Sequence, residues 1–267
     1  MKIKLHELLI ILISGIIILK NLELEAKRRF NIPQPLHLKV KGFGEAAYYK
    51  PLHFKRRKPV FVYLHSKNGN PFQDCKKWYR AAVEYGWIVC PSGIRSKSGR
   101  FSWNNNPFLG KKIVEATLKA LSKKYKRKVL LRRGILVGFS EGAFIALQLA
   151  FKMYKIFPYI IVIGADTKYV GYNDVKKLKK LNRRLRIYLI TGEKDIVLNR
   201  SKNLLKLLRK NRIASKLRIV RGVGHKIPKN ITPIIWRAIR WLTKNPNYPI
   251  GRKKKIKKRR GSITNRG

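Results

Sequence analysis

The sequence predicts an α/β domain, a three-layer α/β/α sandwich on a mostly parallel central sheet. Short apolar runs alternate with longer amphipathic stretches along the 267-residue chain, which is the pattern of βα units. The apolar content of 45% is enough to bury a core, which excludes a simply disordered chain. We find neither an internal repeat nor a long linker, so residues 35–245 are expected to form one domain.

Six apolar runs bounded by turn-forming residues predict the parallel strands of this sheet. They span residues 61–65, 87–90, 134–139, 159–164, 186–191 and 217–221, and a weaker antiparallel pair is expected within residues 36–50. Helices are expected at residues 73–85, 111–124, 141–154, 201–212 and 232–242. Each of these helices lies between two strands, except the last, which follows the final one.

A long loop, residues 91–106, follows the second of the parallel strands and is rich in Ser, Gly and Asn. Parallel sheets bind ligands at the carboxyl ends of their strands, where this loop begins. We therefore expect it to form a wall of a substrate site, with Phe101, Trp103 and Asn104 as candidate substrate-binding residues.

Ser140 carries the strongest chemical signal, in the segment Gly-Phe-Ser-Glu-Gly at residues 138–142. The segment lies directly between an apolar strand and an Ala-rich helix. A G-x-S-x-G pattern at such a junction forms a sharp turn that exposes the serine, and its glycines allow close packing. The context predicts a nucleophilic serine, and the alternative is a serine that only caps the helix.

A serine nucleophile needs a histidine base, and His225 fits on order and position. It stands in a Gly-rich loop after the last strand and follows Ser140 in the chain. The imidazole needs a carboxylate, for which Asp195 is the candidate because it comes directly after the strand at 186–191. Asp195 could instead only pair with Lys194 or Arg200. The other candidate carboxylates are Asp166, Glu193 and Asp174.

The oxyanion of such a reaction needs backbone N–H donors. Glu141, the residue after the serine, is expected to supply one, and Ser66 or Lys67 in the loop after the first parallel strand the other. His65 precedes the serine and ends a strand, so we interpret it as a residue that shapes this loop, not as the base.

Cys75 and Cys90 are the two cysteines of the chain. Two buried thiols are one interpretation, and a disulfide at the carboxyl edge of the sheet, bracing the oxyanion loop, is the other. No Cys/His spacing indicates zinc, and neither a metal nor a cofactor is expected.

The chain carries 64 Lys and Arg but only 12 Asp and Glu, a formal charge of +52. Residues 246–267 are expected to be a basic disordered tail, but the basic residues occur throughout the chain. Electrostatic association with an anionic membrane or polymer is expected. Specific nucleic-acid recognition is not, because no recognition motif accompanies the lysines.

Residues 1–34 are expected to be a signal peptide or an N-terminal membrane anchor with a linker. Lysines precede an apolar run at residues 8–19, which is short for a membrane-spanning helix but suits a signal. Export or tethering to the membrane follows from this interpretation. The alternative is a buried N-terminal element of the domain.

Over residues 36–245 the chain resembles the α/β-hydrolase superfamily. The resemblance depends on Leu-His-Ser-Lys-Asn-Gly at 64–69, the serine segment at 138–142, residues 191–195 and Gly-Val-Gly-His at 222–225. The Cys-Pro-Ser-Gly and Ser-Trp-Asn segments at 90–93 and 102–104 are similar to those of the compact esterase branch, which includes proteins like polyhydroxybutyrate depolymerase, feruloyl esterase and dienelactone hydrolase. The resemblance implies a serine hydrolase of carboxylic esters.

The predicted function is hydrolysis of a small-molecule or polymeric ester through an acyl-enzyme on Ser140. About twenty residues separate the strands that flank the usual cap position, so no large cap domain is expected. A serine peptidase on the same fold is one alternative. A catalytically inactive, cationic binding protein with this fold is another.

Overall fold

The structure is a computed structural model that describes residues 31–53, 55–165 and 185–244. Most of the predicted signal or anchor, the basic tail and the alternative carboxylates Asp166 and Asp174 lie outside these residues. Among the described residues, no helix combines the length and the apolar character needed to span a bilayer.

The described residues form the expected succession of strands and helices. The strands are β1 (Leu36–Val40), β2 (Gly44–Tyr49), β3 (Lys58–Leu64), β4 (Trp87–Pro91), β5 (Ile94–Arg95), β6 (Phe101–Ser102), β7 (Val129–Phe139), β8 (Tyr159–Ile163), β9 (Arg186–Gly192) and β10 (Ala214–Val220). The helices are α1 (Pro71–Lys76), α2 (Tyr79–Ala82), α3 (Pro107–Tyr125), α4 (Glu141–Lys152), α5 (Leu198–Lys210) and α6 (Thr232–Thr243).

Eight of these strands form one sheet in the order β1-β2-β4-β3-β7-β8-β9-β10. Within this sheet, β4, β3, β7, β8, β9 and β10 pair in parallel, whereas β1 and β2 are antiparallel to their neighbours. This confirms the predicted mostly parallel sheet. The carboxyl ends of β3, β7, β9 and β10 therefore lie along one edge, where ligands bind in such sheets.

A hydrophobic core lies on each face of the sheet, because alternate residues of a strand point to opposite sides. In β3, Val60, Val62 and Leu64 join the core covered by α3, α4 and α5. Phe61 and Tyr63 join the core covered by α1, α2 and α6. The two cores give the three-layer arrangement that the sequence predicts.

The helix predicted at residues 73–85 is instead two short helices, α1 and α2. Between them the N–H groups of Lys77 and Trp78 bond to carbonyls only three residues earlier. The break accompanies the full burial of Trp78, which packs against the rings of Phe61 and Tyr63 in the sheet. Packing of this ring therefore overrides the helical periodicity.

Cys75 in α1 and Cys90 in β4 form a disulfide, with their Cα atoms 5.8 Å apart. Of the two interpretations of the cysteines, the bridged one describes this structure. The bond joins the helix that follows the loop after β3 to the neighbouring strand β4. The disulfide thus links the loop after β3, through α1, to strand β4.

Candidate active site

Ser140 lies at the junction of β7 and α4 in a backbone conformation that is unfavourable for a serine, with φ of 54° and ψ of −116°. Its side chain does not cap the helix, which removes the alternative of a capping serine. Close packing holds the turn: a Cβ at Gly138 would collide with the carbonyl of Gly142, and one at Gly142 with the carbonyl of Leu64. The turn therefore needs both glycines that flank the serine.

A chain of hydrogen bonds connects Ser140, His225 and Asp195. The Oγ atom of Ser140 lies 2.9 Å from Nε2 of His225. Nδ1 of the same ring lies 2.9 Å from Oδ1 of Asp195. The side chain of His225 is 33% exposed, whereas that of Asp195 is 2% exposed. The structure thus brings together the three residues that the sequence selects, with the carboxylate shielded from water.

The ends of two parallel strands place the histidine and the carboxylate. Asp195 follows β9, and its Oδ1 atom also accepts a hydrogen bond from the N–H of Val197. His225 follows β10, which pairs with β9 in parallel register. A bond from the N–H of Lys194 to the carbonyl of Val223 holds the two loops together. Of the alternative carboxylates, Glu193 accepts a bond from the backbone of Gly222 instead.

The loop after β3 lies beside Ser140. Leu64 pairs with Gly138 in parallel register, and a Cβ at Gly142 would collide with the carbonyls of Leu64 and His65, so the loop begins against the turn that carries Ser140. Ser66 is half-buried and Lys67 is exposed. This is the region in which an N–H of Ser66 or Lys67 and that of Glu141 are predicted to bind an oxyanion.

The ring of His65 is fully buried, and within the described part of the chain its two nitrogens bond only to backbone groups. Nδ1 lies 2.8 Å from the carbonyl oxygen of Ser66, so it carries the proton, and Nε2 accepts the N–H of Gly93 at 3.0 Å. Burial lowers the pKa of His65 below its ordinary value, which keeps the ring neutral. The ring therefore shapes the loop, as the sequence indicates.

Glu141 has a side-chain role that the sequence analysis missed. Its buried carboxylate accepts hydrogen bonds from the backbone N–H groups of Trp103 and Asn105 and from the hydroxyl of Ser102. An acid directly after a nucleophile, in a chain with so few acids, is a signal that could have drawn attention to it. The sequence analysis used only its main chain.

The loop at residues 91–106 contains a hairpin formed by β5 and β6. Asn104 is exposed, and Phe101 is partly exposed and lines an open groove of about 710 Å³ together with Phe43 and Phe72. Trp103 is fully buried, and its Nε1–H donates to the carbonyl of His65 at 2.8 Å. The expected role of Trp103 in a substrate wall does not fit this burial, because the indole supports the loop from beneath.

The arrangement suits nucleophilic chemistry on a carbonyl group. A neutral imidazole that faces a hydroxyl can take its proton, and a buried carboxylate can orient the ring and stabilise its charge. Within the described residues, no group of three or more His, Cys, Asp or Glu side chains is arranged to hold a metal ion.

Solved structures share this fold at low sequence identity. S-formylglutathione hydrolase from Agrobacterium tumefaciens is 17% identical, with a TM-score of 0.59 over 78% of this chain and 92% of that one. Bacillus cereus carboxylesterase is 16% identical, with a TM-score of 0.51 over 74% and 92%. Dipeptidyl peptidase 4 from Porphyromonas gingivalis is 16% identical, with a TM-score of 0.58 over 79% of this chain but only 35% of that one. These similarities establish the α/β-hydrolase fold.

No curated protein sequence matches this chain. The sequence profile of the phospholipase/carboxylesterase family matches residues 105–241, which is more than half of the chain. The matched range includes Ser140, Asp195 and His225. The chain therefore belongs to the phospholipase/carboxylesterase family.

Proposed function

We propose that this protein is a serine hydrolase of carboxylic esters that works through an acyl-enzyme intermediate. The observation that carries the proposal is the continuous hydrogen-bond chain from Ser140 through His225 to Asp195, with both links at 2.9 Å. The strained backbone of Ser140 adds to it, because strain of this kind is retained where it places a reacting group.

In the first half of the reaction, Oγ of Ser140 attacks the ester carbonyl while Nε2 of His225 takes the hydroxyl proton. The negative charge that develops on the carbonyl oxygen is stabilised by the N–H of Glu141 and by that of Ser66 or Lys67. Collapse of this intermediate breaks the bond to the alcohol, which leaves with the proton from His225. The acyl group remains on Ser140.

In the second half, water attacks the acyl carbonyl and gives a proton to His225. The second tetrahedral intermediate expels Oγ of Ser140, which recovers that proton, and the carboxylic acid is released. Asp195 remains ionised throughout, orients the ring and stabilises the imidazolium. No cofactor takes part in this scheme.

The family supports an ester as the substrate, since it contains phospholipases and carboxylesterases. A small-molecule or polymeric ester is therefore proposed. A peptidase remains the rival because the same three groups cleave amides and because a dipeptidyl peptidase shares the fold. An inactive binding protein is the third candidate.

A panel of chromogenic substrates separates these functions. Short-chain, long-chain and aryl esters of p-nitrophenol are compared with a peptide p-nitroanilide, using the wild-type protein and Ser140→Ala. The proposal expects turnover of at least one ester class and loss of that turnover in Ser140→Ala. Preferential cleavage of the anilide would favour the peptidase, and no turnover by folded wild-type protein would favour the binding protein.

We further propose electrostatic association with an anionic membrane or polymer surface. A groove of about 1400 Å³ between β1 and α3 is lined by lysines, by apolar residues that include Val40 and Ala120, and by one acid, Glu45, which bonds to His37. The lysines are Lys39, Lys41, Lys119, Lys123 and Lys124. Such a cluster attracts anions, and its attraction weakens as salt rises.

Vesicle binding tests this association. Binding to phosphatidylserine vesicles is compared in low and high salt for wild-type protein, Lys119→Glu/Lys123→Glu and the control Lys202→Glu/Lys206→Glu on the exposed surface of α5. Binding of the wild-type protein should weaken as salt rises, and at low salt the groove variant should bind more weakly than the control. Binding that does not respond to salt, or equal losses in both variants, would contradict a role for the groove.

An exported or membrane-tethered location is also proposed. The Cys75–Cys90 disulfide supports it, because such bonds persist in oxidising compartments. Alkylation and mass spectrometry of protein prepared without reductant provide the test. Cells are fractionated first, and protein found only in the cytoplasmic fraction with both thiols alkylated would count against an exported or tethered location.

A further inference from the structure

The carboxylate of Glu141 lies in a site formed entirely by hydrogen-bond donors. Oε1 accepts the N–H of Asn105 at 2.9 Å, and Oε2 accepts the N–H of Trp103 at 3.1 Å. The hydroxyl of Ser102 lies 3.0 Å from Oε1 and 3.1 Å from Oε2. Each carboxylate oxygen therefore accepts one backbone N–H, the two oxygens share the hydroxyl of Ser102, and only 8% of the residue is exposed.

The loop adopts a shape adapted to an anion. Asn104 and Asn105 both have left-handed backbones, with φ of 52° and 48°. Backbone N–H groups in turns of this kind converge on negative charge. A glutamine at position 141 would offer one acceptor and one NH₂ group, and the NH₂ would face a donor. The loop therefore distinguishes a carboxylate from its nearly isosteric amide.

The loop at residues 91–106 also contacts His65, which directly precedes the predicted oxyanion donors Ser66 and Lys67. The indole Nε1–H of Trp103 donates to the carbonyl of His65 at 2.8 Å, and the two rings stack with centroids 4.8 Å apart. The His65 ring in turn donates to the carbonyl of Ser66. Hydrogen bonds therefore connect the Glu141 side chain, through Trp103 and His65, to the loop that carries the second oxyanion donor.

We propose that Glu141 is a positioning residue whose carboxylate, bound by residues 102–105, fixes its own backbone N–H and that of the loop after β3 in the geometry of an oxyanion site. This inference rests on the proposed function. It assigns the loop at residues 91–106 a role in arranging the oxyanion donors. Because the oxyanion forms only during the reaction, loss of this arrangement should lower kcat more than it changes KM.

Three variants test the inference on an ester that the wild-type protein hydrolyses. Glu141→Gln removes the charge at nearly constant shape, and Ser102→Ala removes one of the three groups that donate to it. The control Glu115→Gln neutralises an acid on the surface of α3 that pairs with Lys111. Rates are normalised to the serines titrated to completion with a fluorophosphonate, so that unfolded protein is not counted.

For Glu141→Gln, kcat should fall on the order of 10- to 100-fold, as expected when reacting groups are displaced by about 1 Å. Affinity for a trifluoromethyl ketone, which forms a tetrahedral oxyanion on the serine, should fall in parallel, while KM changes by less than threefold. Ser102→Ala should show the same pattern with a smaller loss. Glu115→Gln should match the wild-type protein in all three quantities.

Retention of kcat and of ketone affinity within twofold of wild type in Glu141→Gln would overturn the inference. If that variant does not fold, Ser102→Ala decides, and the same retention there would overturn it. If Glu141→Gln lost thermal stability but kept kcat and ketone affinity, the hydrogen bonds to Glu141 would stabilise the loop without positioning the oxyanion donors, which would also overturn the inference. Failure of the proposed function is separate, since the wild-type protein would then hydrolyse no ester.

Discussion

The two histidines around the candidate site, His225 and His65, differ in how their rings are bonded. His225 is partly exposed and bonds side chain to side chain, to Asp195 and to the serine hydroxyl. His65 is fully buried and bonds to the backbone of Ser66 and Gly93. Glu141, on the side of His65, also bonds mainly to backbone N–H groups.

The two bonding patterns suit different roles, proton transfer for His225 and structural support for His65. A ring with one nitrogen held by a carboxylate and the other facing a hydroxyl can accept a proton and remain oriented. A buried ring with both nitrogens occupied by backbone groups cannot take a proton without losing a bond. The bonding around His225 and Asp195 therefore suits the proposed proton transfer, and the bonding around His65 suits support of the loops at the proposed oxyanion site.

The largest expected effect is that of His225→Gln. It removes the proposed base, so kcat for an ester should fall about 10⁴-fold or more, with the thermal midpoint little changed. Steady-state kinetics and thermal unfolding measure the two quantities. His53→Gln, at an exposed histidine after β2, is the control and should keep the wild-type rate. A His225→Gln enzyme within tenfold of wild type would assign the base elsewhere.

Asp195→Asn should have the next largest effect. The amide cannot stabilise the imidazolium and favours the wrong tautomer, so kcat should fall roughly 10³- to 10⁴-fold. Glu193→Gln is the matched control in the same loop, because its side-chain oxygen can still accept the N–H of Gly222. Equal rates for the two variants would show that Asp195 does not orient His225.

The double variant Cys75→Ser/Cys90→Ser removes the disulfide between β4 and the helix that follows the His65 loop. It should lose stability and keep the wild-type kcat. The two residues are 15 apart in sequence, and closing a loop of that length stabilises a fold by about 3 kcal/mol. Denaturant unfolding of the variant and of oxidised wild-type protein measures the difference. A large fall in kcat at unchanged stability would contradict a purely structural role for this bond.

The smallest expected effect is on the pH dependence of stability. Burial lowers the pKa of His65 below its ordinary value of 6.5, so the unfolded chain takes up this proton at higher pH than the folded one. Stability should therefore decrease as pH falls below about 6.5, by at most about 1.4 kcal/mol per pH unit from this group. Denaturant unfolding between pH 8 and 5 should show a shallower decrease for His65→Gln. An unchanged slope would contradict the assignment of a neutral, buried ring.

Most of the fold follows from local patterns in the sequence. The strands at 159–164 and 186–191 are apolar runs that are buried in the sheet, so their pattern and their environment agree. The loop predicted at residues 91–106 implies a helix start near Pro107, where α3 begins with Asn106 as its cap, whereas the amphipathic pattern alone indicates a helix only from residue 111.

Ser140, His225 and Asp195 could be selected from the sequence because each follows a predicted strand and their order is that of the superfamily. The side chains of Trp103 and Glu141 could not be placed in this way. The direction of each depends on the hairpin formed by β5 and β6 and on left-handed residues in its loop, which local patterns do not specify. Burial of Trp103 therefore emerged only from the three-dimensional structure.

Covalent labelling tests the central claim, a nucleophilic Ser140, most directly. Wild-type protein is treated with a fluorophosphonate, and intact-mass and peptide analysis locate the adduct. A nucleophilic Ser140 should give one adduct per chain, on this residue, and none in the folded Ser140→Ala variant. Folded wild-type protein that is not labelled, or an adduct that persists in Ser140→Ala, would contradict it.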